Sequence, residues 1–117
     1  MIVVECNHQS TQSLVEYLAP FETQALFLLG NLLHSKQPCF LYAAMQNDEI
    51  RGICGYYPVF CSCSFFSQDT TASRALGRYV AEKHPICALL GMKEMVKPAY
   101  DLFLELVHRF KSFWCFG

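Results

Sequence analysis

Cys39-Phe-Leu-Tyr-Ala-Ala-Met45, Gln46-Asn-Asp-Glu49, Ile50-Arg-Gly-Ile-Cys-Gly-Tyr-Tyr-Pro-Val59, Phe60-Cys-Ser-Cys-Ser-Phe-Phe66 and Ser67-Gln-Asp-Thr-Thr-Ala-Ser73 follow one another, and their order decides the fold. The first is an apolar run one strand long, and the second is a polar turn. The next two are rich in aromatic and β-branched residues and read as strands. After Ser67 the period lengthens: Ala72, Ala75, Leu76, Tyr79 and Val80 recur at helical spacing, so a helix leaves the third of these strands. Short connections make the three strands an antiparallel meander. The joint from Ser67 to Ser73 is where an α/β domain of this kind would receive an anionic cofactor, because N–H groups at a helix start lack partners and carry partial positive charge.

Outward from this stretch, Ile2 to Cys6 is a short first strand. Ser10 or Thr11 can cap the following helix, whose apolar face is Leu14, Val15 and Leu18 and which Pro20 breaks. Phe21 to Leu33 is expected to be a second helix with a broad apolar face. Gly30 inside it costs up to ~1 kcal/mol against alanine, and close packing is the expected reason for it. The helix from about Thr70 to Lys83 has Asp69 or Ser67 as its cap and is stopped by His84-Pro85. Ile86 to Leu90 reads as a fifth strand, and Lys93 to Arg109 as a last helix with Pro98 near its start. The order is β-α-α-β-β-β-α-β-α. The expectation is one α+β (α/β three-layer) domain over residues 1–111, with a mixed, mostly antiparallel sheet and an apolar tail at 112–117.

The totals exclude several classes. A chain of 117 residues suits one domain. The hydrophobic fraction of 53% against a charged fraction of 16% argues against disorder. Nine scattered Lys and Arg at a net charge of -1 argue against nucleic-acid binding, which needs clustered cations. No apolar run approaches the ~18 residues of a membrane span. Seven cysteines, with Glu5 interrupting any leader, fit free thiols in a reducing cytoplasm.

The element order resembles the GNAT (N-acetyltransferase) superfamily, whose fold runs β-α-α-β-β-β-α-β-α-β-β. Phe27-Leu-Leu-Gly-Asn31 looks like a segment in the second helix of certain two-domain bacterial GNAT proteins. Asp48-Glu-Ile-Arg-Gly52 looks like their turn into the third strand, and Leu90-Gly-Met-Lys-Glu94 like the entry to their fourth helix. In those proteins these features lie in the N-terminal half, while the second half carries acetyl-CoA. The resemblance spans roughly Ile2 to Phe110, and the family's last hairpin has no counterpart.

The family grips the cofactor's pyrophosphate with amides of a Q/R-x-x-G-x-G/A loop. The matching joint, Ser67 to Ser73, has no glycine and no cation, and it carries Asp69. The family's proton-donating tyrosine, in a pattern like A-x-x-L-Y-x-x-x-G-F, falls on Phe103 after Ala99 and Leu102. Val107 and His108 depart from the rest of the pattern, and Tyr100 points elsewhere on the helix. The resemblance therefore implies a degenerate or truncated accessory or dimerisation module without independent catalysis and without a cofactor. The alternative is a divergent acetyl-CoA-dependent N-acyltransferase, with Tyr57, Gln68, Thr70, Thr71 and Ser73 lining the cofactor cleft. No catalytic residue is assigned under either reading.

Cys61-Ser-Cys63 on a strand, with Cys54, offers thiols for a soft metal. With no C-x-x-C pair and no paired histidine nearby, packed free thiols are the expectation. Among seven cysteines and four histidines no spacing singles out a nucleophile. Phe113, Trp114 and Phe116 are of the types that anchor interfaces. With the fifth strand's edge left open, they are expected to meet a second GNAT domain or another copy, a homodimer. The alternative is a tail folded back over its own core, or one that reflects a truncated reading frame.

Overall fold

A computed structural model describes residues 1–7, 11–23, 25, 28–30 and 39–109. Asn47 and Asp48 take φ angles of 53° and 63°. Two consecutive left-handed residues are what a tight hairpin demands, and Asn and Asp tolerate that region best after glycine. They join β2 (Phe40–Gln46) to β3 (Glu49–Tyr57), pairing Gln46 with Glu49. β1 (Ile2–Cys6) adds antiparallel to β2, and β4 (Ser62–Ser67) antiparallel to β3. α2 (Thr70–Lys83) then crosses over, and β5 (Ala88–Leu90) returns parallel to β4. The five strands lie in the order β1-β2-β3-β4-β5. The last helix, α3, runs Lys93–Arg109.

The pleat sends alternate side chains to opposite faces, and each face is covered. Tyr42, Ala44, Cys54, Tyr56, Cys63 and Phe65 meet Ala72, Leu76 and Val80 of α2 and Ala99 of α3. Ala43, Ile53 and Phe66 meet Leu14 and Leu18 of α1 (Thr11–Leu18) with Ala25, Leu28 and Leu29. The result is an α+β domain of three layers. No helix among the described residues is long and apolar enough to cross a membrane.

Several boundaries differ from the sequence expectation. The strand pair expected at Ile50–Val59 and Phe60–Phe66 yields residues 58–61 to a turn, closed by Phe60 N–H donating to Tyr57 O (3.1 Å) and Cys61 N–H to Pro58 O (3.3 Å). Cys61 is left-handed at φ 49° and lies off the strand, so it does not share a sheet face with Cys63. β5 is shorter than Ile86–Leu90, beginning at Ala88; just before it Pro85 O accepts from the Tyr56 hydroxyl and Cys87 N–H donates to Cys61 O. After α1, Ala19–Phe21 forms one 3₁₀ turn with Pro20 near its start, where a missing N–H is harmless. Ala25 N–H to Phe21 O and Leu29 N–H to Ala25 O continue in helical spacing, and residues 28–30 are helical. The remainder of the helix expected at Phe21–Leu33 lies outside the described residues, as does Ser10.

Gly30 corrects another expectation. It is exposed, and a Cβ there would meet nothing within 4 Å, so close packing does not explain it. Close approach belongs to Gly77 instead. A Cβ on Gly77 would stand 2.9 Å from the Ala99 Cβ, because α2 and α3 cross there.

Candidate functional site

The joint between β4 and α2 is built around Asp69. In an extended conformation Asp69 caps the helix: its Oδ1 accepts the Ala72 N–H at 2.7 Å. Arg51, opposite on β3, donates Nε and Nη2 to Oδ2 at 3.3 and 3.0 Å. The amides and the guanidinium together lower the Asp69 pKa, the Ala72 N–H being the largest cause and a Thr71 amide also contributing. Ser67 and Ser73 are buried and share a short Oγ···Oγ hydrogen bond, and Ser67 Oγ also donates to Asp69 O. Gln68 N–H donates to Arg51 O.

The residues expected to line a cofactor cleft are therefore only partly brought together. Gln68, Thr70 and Thr71 are exposed at the joint, and Ser73 is buried beneath it. Tyr57 lies elsewhere. It pairs with Ser62 whereas Ser67 pairs with Gly52, five positions along β3 and about 16 Å away. Tyr57 shares its sheet face with Gly55, toward Leu28 and away from α2. An added diphosphate at the joint would meet a carboxylate that already takes the Ala72 and Thr71 amides, while the Gln68 amide is taken by Arg51 O, so these residues do not fit that group. On α3, Phe103 packs against the α2-side core, while Tyr100 is exposed.

Removing the cap gives a measurable effect. Asp69→Ala is expected to cost about 1–2 kcal/mol, by losing the amide acceptor at the helix start. Asp69→Asn keeps an oxygen for the Ala72 amide and should cost less. Urea denaturation of the three proteins at pH 7 checks the order.

At the other end of α2, 14 residues and about 21 Å away, a second constellation forms. His84 N–H caps the helix at Val80 O (2.8 Å), which sets the ring beyond the last turn. There it stacks on Tyr56 with ring centroids 4.1 Å apart and lies 5.0 Å from Phe40. His84 Nε2 and the Tyr42 hydroxyl hydrogen-bond at 2.8 Å. Burial first, and the adjacent Lys83 second, lower the His84 pKa, while Glu5 acts the other way. Burial is also the main cause that pushes Tyr42 and Tyr56 up to about 12. Near pH 7 the neutral imidazole is thus held against neutral phenols. Tyr42, Tyr56 and Tyr57 can be read from the sequence as strand aromatics, but that His84 meets Tyr42 and Tyr56 cannot, because the three come from β2, β3 and a helix end and share no local pattern.

No family model, curated protein or solved structure matches this chain.

Protonating His84 replaces a neutral ring with a cation in the aromatic box. Because its folded pKa lies below the ordinary 6.5, its contribution is full above pH 6.5 and is lost as pH falls toward its folded pKa. Urea midpoints are expected to decline between pH 7.5 and 5, and His84→Phe should remove part of that decline.

Cys54 and Cys63 are fully buried on the α2 side, and burial raises Cys54 well above the usual thiol range. The six described cysteines are free thiols, and no group of three metal-binding side chains gathers among the described residues. Beside β5, an open groove of about 410 Å3 is lined by Gly91, Lys93, Val96, Lys97, Tyr100 and Asp101. Leu90 and Met92 are exposed next to it. Among the described residues β5 pairs only with β4. Phe113, Trp114 and Phe116 lie outside the described residues.

Proposed function

We propose that this chain is a GNAT-like accessory module that does not transfer acyl groups by itself and acts by pairing with a second GNAT-like domain or another copy. The observation carrying this reading is the seat of Asp69. In the resembling family the amides of this joint grip a pyrophosphate, whereas here the Ala72 and Thr71 amides serve the chain's own Asp69 carboxylate, which Arg51 neutralises, and the Gln68 amide is taken by Arg51 O. A bound diphosphate would have to displace or repel that charge. The strand order and the parallel return of β5 agree with the resemblance, and Phe103 has no proton to give at the position of the family's acid. Among the described residues the outer side of β5 has no partner strand, and with exposed Leu90 and Met92 beside the groove this supports the pairing role.

Thermal melting with millimolar acetyl-CoA tests the first half. No shift is expected. A divergent N-acyltransferase at ~100 times its dissociation constant would gain ~2.7 kcal/mol, and that gain would replace this reading with the alternative. Light scattering tests the second half. A dimer weakened by Trp114→Ala is expected, and a monomer in both forms counts against pairing of identical copies.

A further inference from the structure

Cys61 and Cys87 meet where the turn after β3 touches the entry to β5. Cys87 N–H donates to Cys61 O at 2.6 Å. Standard bond lengths then hold the two Cα atoms within about 6.5 Å, inside the usual disulfide range of about 4.4–6.8 Å. Both thiols also lie within electrostatic reach of the Tyr56 hydroxyl, Cys61 closely enough to hydrogen-bond it. Their access differs: Cys87 is exposed, Cys61 is half-buried, and Cys63 is fully buried beside Cys54. Cys61 Sγ makes a long contact of 3.7 Å to Pro58 O, a weak thiol hydrogen bond that can be given up at little cost.

We propose that Cys61 and Cys87 are a redox pair that closes to a reversible intramolecular disulfide under a disulfide oxidant such as oxidised glutathione. The exposed Cys87 thiolate attacks one sulfur of oxidised glutathione, forming a mixed disulfide and releasing one glutathione thiolate. Cys61, as thiolate, then attacks the Cys87 sulfur and releases the second glutathione. Two protein thiols lose two electrons and two protons, and one glutathione disulfide becomes two thiols. Excess reduced glutathione runs both steps backward. The bond ties the 58–61 turn to the segment holding Pro85, whose carbonyl the Tyr56 hydroxyl already grips at 2.5 Å. It would fasten β5, a strand of three residues, to the sheet from its outer end. A transient bond of this kind is the form that disulfides take in a reducing compartment.

The test uses the full chain at low micromolar concentration, equilibrated with oxidised and reduced glutathione in varied ratio, acid-quenched and digested with trypsin without reduction. The expected product joins peptide 52–74 to peptide 84–93 with two hydrogens lost, in protein that runs as a monomer on a non-reducing gel. It should vanish in Cys61→Ser and Cys87→Ser and reappear as free peptides when reduced glutathione is restored. Fragmentation of the joined peptide between Cys54 and Cys61 and again between Cys61 and Ser62 assigns the sulfur without needing a variant of the buried Cys54 or Cys63. A link assigned to Cys54 or Cys63, a link only between copies, or Cys87 ending solely as its glutathione adduct would each overturn the pairing.

Discussion

Phe66→Ala is expected to cost about 3–5 kcal/mol, which is a large share of the stability of a domain this size. Phe66 is 2% exposed and sits where β4 faces α1. Its ring lies 4.9 Å from Phe21 and 6.0 Å from Tyr17, centroid to centroid, and it packs with Leu14, Leu18 and Ile53. Truncation loses the transferred ring and leaves a cavity bounded on one side by a strand that cannot move inward without breaking its ladder. The second-layer helix thus loses its main aromatic contact while the α2 side stays intact. Urea denaturation checks the size. A midpoint unchanged from wild type would mean that α1 is not seated on this face.

Gly77→Val is the second large effect, expected at about 1–3 kcal/mol of destabilisation. Glycine is usually the poorer helix residue, so propensity alone predicts a small gain from replacing it. Packing reverses the sign. A Cβ at 77 would stand 2.9 Å from the Ala99 Cβ and 3.2 Å from the Ala99 Cα, so backbone as well as side chain must move. Ala99→Gly in the same chain removes one of the two obstacles and should recover part of the loss. The double-mutant cycle reads that recovery as a coupling between α2 and α3. Additive effects in the cycle would place the two helices further apart than described here.

These two residues also mark how far the sequence could be read. The ends of α2 were legible because both carry local signals: Asp69 accepts an amide three residues on, and His84 precedes a proline. The bounds of β1 and the start of α3, after the turn at Gly91, were legible too. Residues 58–61 were not, because Val59 and Phe60 have strand composition yet are exposed in a turn. Gly30 and Gly77 show the same limit. Both stand inside helical patterns, and nothing local says which one touches another helix.

At the candidate sites the division is similar. The absence of glycine and the presence of an acid between Ser67 and Ser73 could be read directly. That Arg51 neutralises that acid could not, since 18 residues separate them and only the β3–β4 register sets them opposite. The Tyr42–His84 contact bridges 42 positions, and Cys61 meets Cys87 across a whole strand and helix.

What the chain determined by itself is most of the described elements and their order, because periodicity and capping act within a few residues. What tertiary structure alone decided is which side chains share a corner: the guanidinium that neutralises the capping carboxylate, the imidazole in its aromatic box and the two thiols at the entry to β5. Those meetings depend on strand register and helix crossing: a slip of one residue in a strand would send its partners to the opposite face, and one in a helix would turn them by about 100°.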